Sequence, residues 1–216
     1  MYFLEQIDWL KNRLGQPLPG RDGQERMAAR VRPMPEVIPS DARPSAVLSL
    51  LFPVDDELHL LFIKRTEDGR AHSGQVSFPG GKQDPTDAGL KATALREAQE
   101  EVGLMPAEVE ILGELTPLYI PVSNFQVHPY VAFAKGKPTY NINHAEVRHV
   151  LEVPVAELFH AERKAITDVT SPAMPGVIRN VKAYKLTDGT IIWGATAMIL
   201  SELETIFAEF KPGLPS

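Results

Sequence analysis

The sequence predicts an α/β protein of the α+β kind, a sandwich with a mixed central sheet. Strand-like and helix-like runs follow one another without strict alternation, which argues against a doubly wound parallel sheet. Two pairs of β-type runs fold back through short polar turns. Three segments carry apolar residues at helical spacing, and no internal repeat is present. With 216 residues and 44% hydrophobic side chains, there is enough apolar material for one well-formed core and terminal extensions.

Phe3, Leu4, Ile7, Leu10 and Leu14 recur at helical spacing, so residues 2–14 read as an amphipathic helix ended by Gly15. From Gln16 to Pro44 prolines and glycines are frequent, which predicts an extended arm with one short helix near Gln24–Val31. Residues 1–44 are thus expected to be a helix and arm outside the compact part, dispensable for chemistry. Phe3, Ile7 and Leu10 are its candidate docking residues, on the core or on a second subunit of a homodimer.

The compact part, 45–216, opens with "AVLSLLF" and "LHLLFIKR" around "PVDDE", a hairpin. "GQVSFPGG" reads as a short strand ending in a glycine turn. A helix is expected over Ala88–Val102, with Asp87 as N-cap and Gly103 as C-cap. "VEILGELTPLYI" and "QVHPYVAFAK" read as strands, and "VPVAELF" as a short helix opened by proline. "VKAYKLTDGTIIWG" reads as a hairpin turning at Asp188–Gly189, and "ATAMILSELETIFAEF" as a last amphipathic helix.

The net charge of -6 argues against a broad nucleic-acid surface and leaves room for a local basic pocket. Without cysteine there are no disulfides, thiolate zinc sites or thiol nucleophiles, which suits a reducing cytoplasm. The N-terminal stretch lacks the apolar core of a signal peptide, and no apolar run is long enough to span a bilayer, so no membrane is expected. His144 and His149 are not at the i, i+4 spacing of a helical zinc pair, and neither a G-x-S-x-G elbow nor a P-loop is present.

The chemistry concentrates in "REAQEEVGL", where Glu97, Glu100 and Glu101 fall on one helix and repel each other. On a wheel of about 100° per residue with Leu90 at the origin, Ala94, Ala98, Val102 and Leu95 fan over roughly 40° to 140°. Glu101 falls near about 20°, inside the packed side, with Glu97 near about -20° and Glu100 near about -80°. A solvated acidic face would not place Glu101 there. A buried carboxylate must be paired, protonated or metal-bound, and hard oxygen donors suit magnesium or manganese. Upstream, Gly80 and Gly81 separate a strand from this helix, which is either a tight turn or a close approach of backbone to ligand.

"GGKQDPTDAGLKATALREAQEEVGL" resembles the Nudix hydrolase box, G-x5-E-x7-R-E-U-x-E-E-x-G-U with U bulky aliphatic. Arg96, Glu97, Glu100, Glu101, Gly103 and Leu104 fit its second half, with Ala98 at the first U. Asp87 stands six after Gly81 where the pattern has Glu, and eight residues separate it from Arg96 instead of seven. "FIKRTEDGRAHSGQVSFPGG", from Phe62 to Gly81, resembles the extra signature of the coenzyme A pyrophosphatase branch, and "IIWGATAMIL" has the same character.

The resemblance, over about residues 45–205, implies a Nudix-like α/β/α sandwich and metal-dependent attack of water on the diphosphate of a nucleoside diphosphate derivative, most specifically coenzyme A, with ADP-ribose or another such derivative as the alternative substrate. The alternative of another class is a non-catalytic ligand-binding module on the same fold, against which the intact acid triplet argues. It implies magnesium or manganese on Glu97, Glu100 and Glu101, with a backbone carbonyl of Gly80 or Gly81 adding a ligand. Arg96 would orient the carboxylates. Glu97 and Glu146 are both candidates for the general base. Lys64, Arg65, Arg70, His72 and Lys82 are the candidate substrate-binding cations.

Overall fold

The computed structural model describes residues 2–28, 37–67, 69, 72–172 and 174–212. Strand β1 (Arg43–Val54) and strand β2 (Glu57–Arg65) form the expected hairpin. Its turn residues Asp55 and Asp56 both have positive φ, 48° and 63°, the geometry that matches the twist of the flanking strands. Strand β1 changes partners along its length. Its far half, Leu51–Val54, pairs with β2, while Ser45–Val47 pair with strand β4 (Gly80–Lys82). Strand β3 (Val76–Ser77) pairs with the end of β2. The segment from Val76 to Lys82 therefore wedges open the space between β1 and β2.

Strand β5 (Val109–Glu114) and strand β6 (Leu118–Ile120) lie antiparallel to strand β7 (Phe125–Ala134), which runs parallel to β1. Strand β8 (Val147–Pro154) flanks β2 on its other side. Parallel and antiparallel ladders share one sheet, so the mixed-sheet expectation is realised. A second, three-stranded antiparallel sheet contains strand β9 (Lys164–Ser171), strand β10 (Met174–Lys185) and strand β11 (Ile191–Trp193). Strands β8 and β9 were not anticipated. In β9, "KAITDVTS" alternates between exposed and half-buried positions, with Val169 buried, so it carries little apolar signal.

Helix α3 (Leu90–Val102) covers one face of the main sheet. Its Ala94, Ala98 and Val102 pack against Ala46, Leu48, Leu50 and Phe52 of β1, and the small side chains let helix and strand approach closely. The other face is covered by helix α1 (Tyr2–Leu14) and helix α5 (Gly194–Phe207), through Phe3, Ile7, Leu10, Leu14, Leu200, Leu203 and Ile206. Three layers result, an α/β/α sandwich. Helix α4 (Val155–Leu158) is the short proline-opened turn.

Two local expectations are corrected. The short helix of the arm, α2 (Gly20–Glu25), starts earlier than Gln24, and of the expected span residues 29–31 lie outside the described residues. Helix α3 begins at Leu90 with Gly89 as N-cap, and Asp87 caps nothing because its carboxylate is engaged elsewhere. Gly103 does end the helix, with φ 75° in the left-handed region.

The N-terminal segment is built into the core. Phe3, Ile7 and Leu10 are 6%, 5% and 0% exposed, so the chain's own sheet takes up the three docking side chains. Glu202 of α5, fully buried, accepts hydrogen bonds from Gly20 N–H (3.0 Å), Gln24 Nε2 (3.0 Å), Thr116 N–H (3.2 Å) and Thr116 Oγ1 (2.6 Å). Ser201 Oγ donates to the Gly23 carbonyl at 2.7 Å. Arg13 forks onto Glu209 at 2.7 and 3.1 Å, and Trp9 meets Phe210 edge to face.

Candidate active site

Helix α3 and the Gly80–Gly81 turn meet where β1 leaves β2. Glu101, the last residue but one of the helix, points into this junction and is 1% exposed, as its wheel angle predicts. Arg65 Nη1 donates to its Oε1 at 3.0 Å, and the Gly80 N–H donates to its Oε2 at 2.8 Å. Burial nevertheless pushes its carboxyl up to about 7, against the pull of Gly80 and Arg65 and aided by the charges of Glu97 and Glu146. Glu97 is also raised, mainly by burial, with Arg96 opposing.

The glycines are required by contact. At Gly80, φ is 154° and a β-carbon would collide with the Ala46 carbonyl and the Val47 backbone. A β-carbon on Gly81 would lie 2.5 Å from the Glu97 carboxylate. The turn is therefore tight and brings backbone against the Glu97 carboxylate, a contact that neither sequence alternative named.

Arg96 organises the solvent side of the helix. Its Nε and Nη2 fork onto Asp87 Oδ1 and Oδ2 at 2.8 and 3.0 Å, and Nη2 also donates to the Lys82 carbonyl at 3.1 Å. Its Nη1 lies 3.0 Å from Glu97 Oε1 and 2.9 Å from Glu100 Oε2. The guanidinium holds the Asp87 carboxyl well below the usual carboxylate range, helped by the Asp84 N–H and the Thr93 hydroxyl. The shorter acid and the extra residue before Arg96 thus still give a two-point fork.

A cavity of about 460 Å³ opens in front of these groups. Glu97, Glu101, Glu146, Gly80 and Gly81 form one wall, and Arg65, His72 and Lys82 stand beside them. Glu146 is exposed at the rim, with Asn143 Nδ2 3.4 Å from its Oε1. Glu100 lies off this wall, its side chain 56% exposed. His72, in a left-handed conformation with φ 70°, has its imidazole pKa lowered by burial and sits 3.3 Å from Gln75 Oε1. Arg70 lies outside the described residues. Lys64 neighbours Arg65 on β2 and faces away, into a second cavity.

The sequence reading did not single out Gln75, Ser77, Ser123, Phe125 and Trp193, which also line the first cavity. The hydroxyls of Ser77 and Ser123 are buried and have no hydrogen-bond partner among the described residues. Trp193, Ala195, Thr196 and Ile199 come from "IIWGATAMIL", the one signal that pointed to this wall.

Among the described residues no three acidic or imidazole groups converge on one point; Glu101 is paired with Arg65 and Glu97 with Arg96. The donor set still fits a hard divalent cation. It consists of carboxylate oxygens, two of them on groups whose ionised form is disfavoured by burial, a cost that a cation offsets.

The NUDIX domain family pattern matches residues 42–173. The chain is 39% identical over 144 residues to an uncharacterized Nudix hydrolase, NudL, of Pectobacterium atrosepticum, covering 67% of this chain and 72% of the relative. It is 40% identical over 155 residues to NudL of Cronobacter sakazakii, covering 71% and 77%. Among solved structures, a MutT/nudix family protein from Enterococcus faecalis aligns with a TM-score of 0.50 at 16% identity, covering 82% of this chain and 66% of that one. No helix among the described residues is long and apolar enough to cross a membrane.

Proposed function

Because the chain belongs to the Nudix hydrolase family, pyrophosphohydrolases that act on small nucleoside diphosphate derivatives and generally use divalent metal ions, we propose that it hydrolyses coenzyme A or its derivatives. The products are 3′,5′-ADP and 4′-phosphopantetheine, and the ion is magnesium or manganese. One observation carries this reading. The upstream signature with its glycine turn, the glutamate helix that follows it, and the Trp193–Ile199 segment more than 90 positions further on line a single cavity. The cysteine-free sequence suits a cytoplasmic setting.

Glu97 and Glu101, with Glu100 turning in from the rim and a carbonyl of Gly80 or Gly81, would hold the ion. Bound there, it would supply charge neutralisation on the diphosphate and an activated water. The chain's own groups do the positioning. Arg65 and the Gly80 N–H fix both oxygens of Glu101, so that carboxylate cannot swing away. Arg96, locked by Asp87 and the Lys82 carbonyl, aligns Glu97 and Glu100. Arg65, His72 and Lys82 stand where they can bind the diphosphate oxygens.

A carboxylate oxygen of Glu146 accepts the proton of the attacking water. Glu146 is favoured over Glu97 because Glu97 Oε1 is already engaged by Arg96. Ser77 and Ser123 offer their hydroxyls to the substrate.

The test is an initial-rate series with coenzyme A, dephospho-coenzyme A and ADP-ribose at equal magnesium. Coenzyme A is expected to exceed ADP-ribose in kcat/KM by about tenfold or more, with dephospho-coenzyme A between them. ADP-ribose matching coenzyme A would reject the substrate and leave the family's chemistry standing.

A further inference from the structure

The second cavity, about 940 Å³, lies between the main sheet and the three-stranded sheet. Gln75 and Trp193 line both cavities, so the two rooms share a wall made of those side chains. The first, at about 460 Å³, is near the lower end of the range that encloses a whole ligand, roughly 300–1,000 Å³. A substrate with a diphosphate in the first room and further groups at either end can extend into the second past Gln75 and Trp193.

What the second room offers is set by sheet register. Lys64 of β2 and His149 of β8 are direct cross-strand partners, so both side chains rise on the same face and both line this cavity. Two basic groups directly opposite each other cost a sheet stability whenever both are charged. A shift in the β2–β8 ladder between Lys64 and Arg65 separates this pair from the carboxylate site.

The acids on the same walls have their own partners: Glu67 lies 3.7 Å from Arg148, and Asp168 accepts from Arg179 at 3.5 Å and from the Asn180 N–H at 3.0 Å. Lys64 makes no ion pair with the described residues. Thr170 adds a hydroxyl nearby. Asp188, whose charge acts on His149 from the neighbouring turn, accepts from the Thr190 N–H at 2.8 Å. With the neighbouring acids so engaged, basic nitrogens and a hydroxyl around an open space form a receptor for a tetrahedral anion.

We propose that Lys64 and His149 form a second anion subsite, which reads a phosphomonoester on the same substrate whose diphosphate lies at Glu97 and Glu101. The inference rests on the proposed reading of function, and it separates two tasks among cations that are close in sequence. Arg65, His72 and Lys82 serve the bond that breaks, and Lys64 serves recognition of a group that does not react.

The experiment measures kcat/KM for coenzyme A and dephospho-coenzyme A, which differ by one phosphomonoester, in the wild-type protein, Lys64→Met, Lys64→Arg and His149→Gln. Lys64→Met is expected to lower the ratio of the two values by about tenfold, and Lys64→Arg to restore most of it. Competition by the products gives a second readout: 3′,5′-ADP should lose its advantage over 5′-AMP as an inhibitor in Lys64→Met and in His149→Gln.

An unchanged ratio, or equal loss on both substrates, overturns the subsite. If Lys64→Met fails to fold, the ratio and the product competition in His149→Gln decide in the same way. A wild-type protein that hydrolyses other diphosphates and leaves coenzyme A intact would instead overturn the functional reading beneath it.

Discussion

Among the described residues two glutamates are almost fully hidden from water, and they are buried in different ways. Glu202 is surrounded by four neutral donors, and its two oxygens are fully occupied in joining α5 to the N-terminal segment and to Thr116. Glu101 has one donor for each oxygen and sits beside Glu97 and within the field of Glu146. Burial raises the carboxyl pKa of both. Acceptors met by several neutral donors mark a structural carboxylate, whereas a buried carboxylate paired with a guanidinium and crowded by other carboxylates fits the proposed cation site.

That contrast can be broken most completely by removing metal. Exhaustive chelation and dialysis should abolish hydrolysis, and magnesium or manganese should restore it without zinc. Retained activity after chelation would make the Glu97–Glu101 crowding purely structural. Next in size, Glu101→Gln and Glu97→Gln should each lower kcat by about two orders of magnitude, roughly 3 kcal/mol of barrier, with the fold retained. Near-normal turnover at saturating magnesium would count against their role.

The complementary change at Glu202 should act on stability. Glu202→Gln presents an amide to donors that need an acceptor, and urea unfolding should show a loss of about 2 kcal/mol. An unchanged midpoint would mean that the four bonds at Glu202 contribute little net stability.

The smallest effect concerns Asp87, which the Arg96 fork holds far below its ordinary value of 3.8. Its depressed pKa adds stability that is fully present above the unfolded-state value and disappears as pH falls through the folded-state value. Asp87→Asn should therefore cost stability at neutral pH, with the gap to wild type narrowing below about pH 4. A gap independent of pH would assign the loss to packing.

How much of this was legible in the sequence depends on the range of each signal. Helical spacing placed Glu101 inside before any coordinates, and the hairpin at Asp55–Asp56 followed from turn chemistry. Strands β8 and β9 were missed because an edge or half-exposed strand has no apolar run to betray it. Lys64 and Arg65 stand together among the candidate substrate-binding cations, yet successive strand residues face opposite sides, so adjacency in sequence is separation in space. Asp87 read as a cap because an acid just before a helix usually is one. Its partner nine positions on could be found only through the fold. Glu202 gave no sign at all, since its donors are more than 80 positions away in the chain.

The bond between Arg13 and Glu209 spans 196 positions. Chain closure over that length has an entropic cost that local pairs such as the β1–β2 hairpin avoid. The hairpin pairs over a short range, whereas α1 reaches α5 only across nearly the whole chain. A chain in which that contact is not yet made leaves the sheet face beneath Phe3, Ile7 and Leu10 uncovered, and an uncovered apolar face is one through which an unfinished chain would stick to its neighbours.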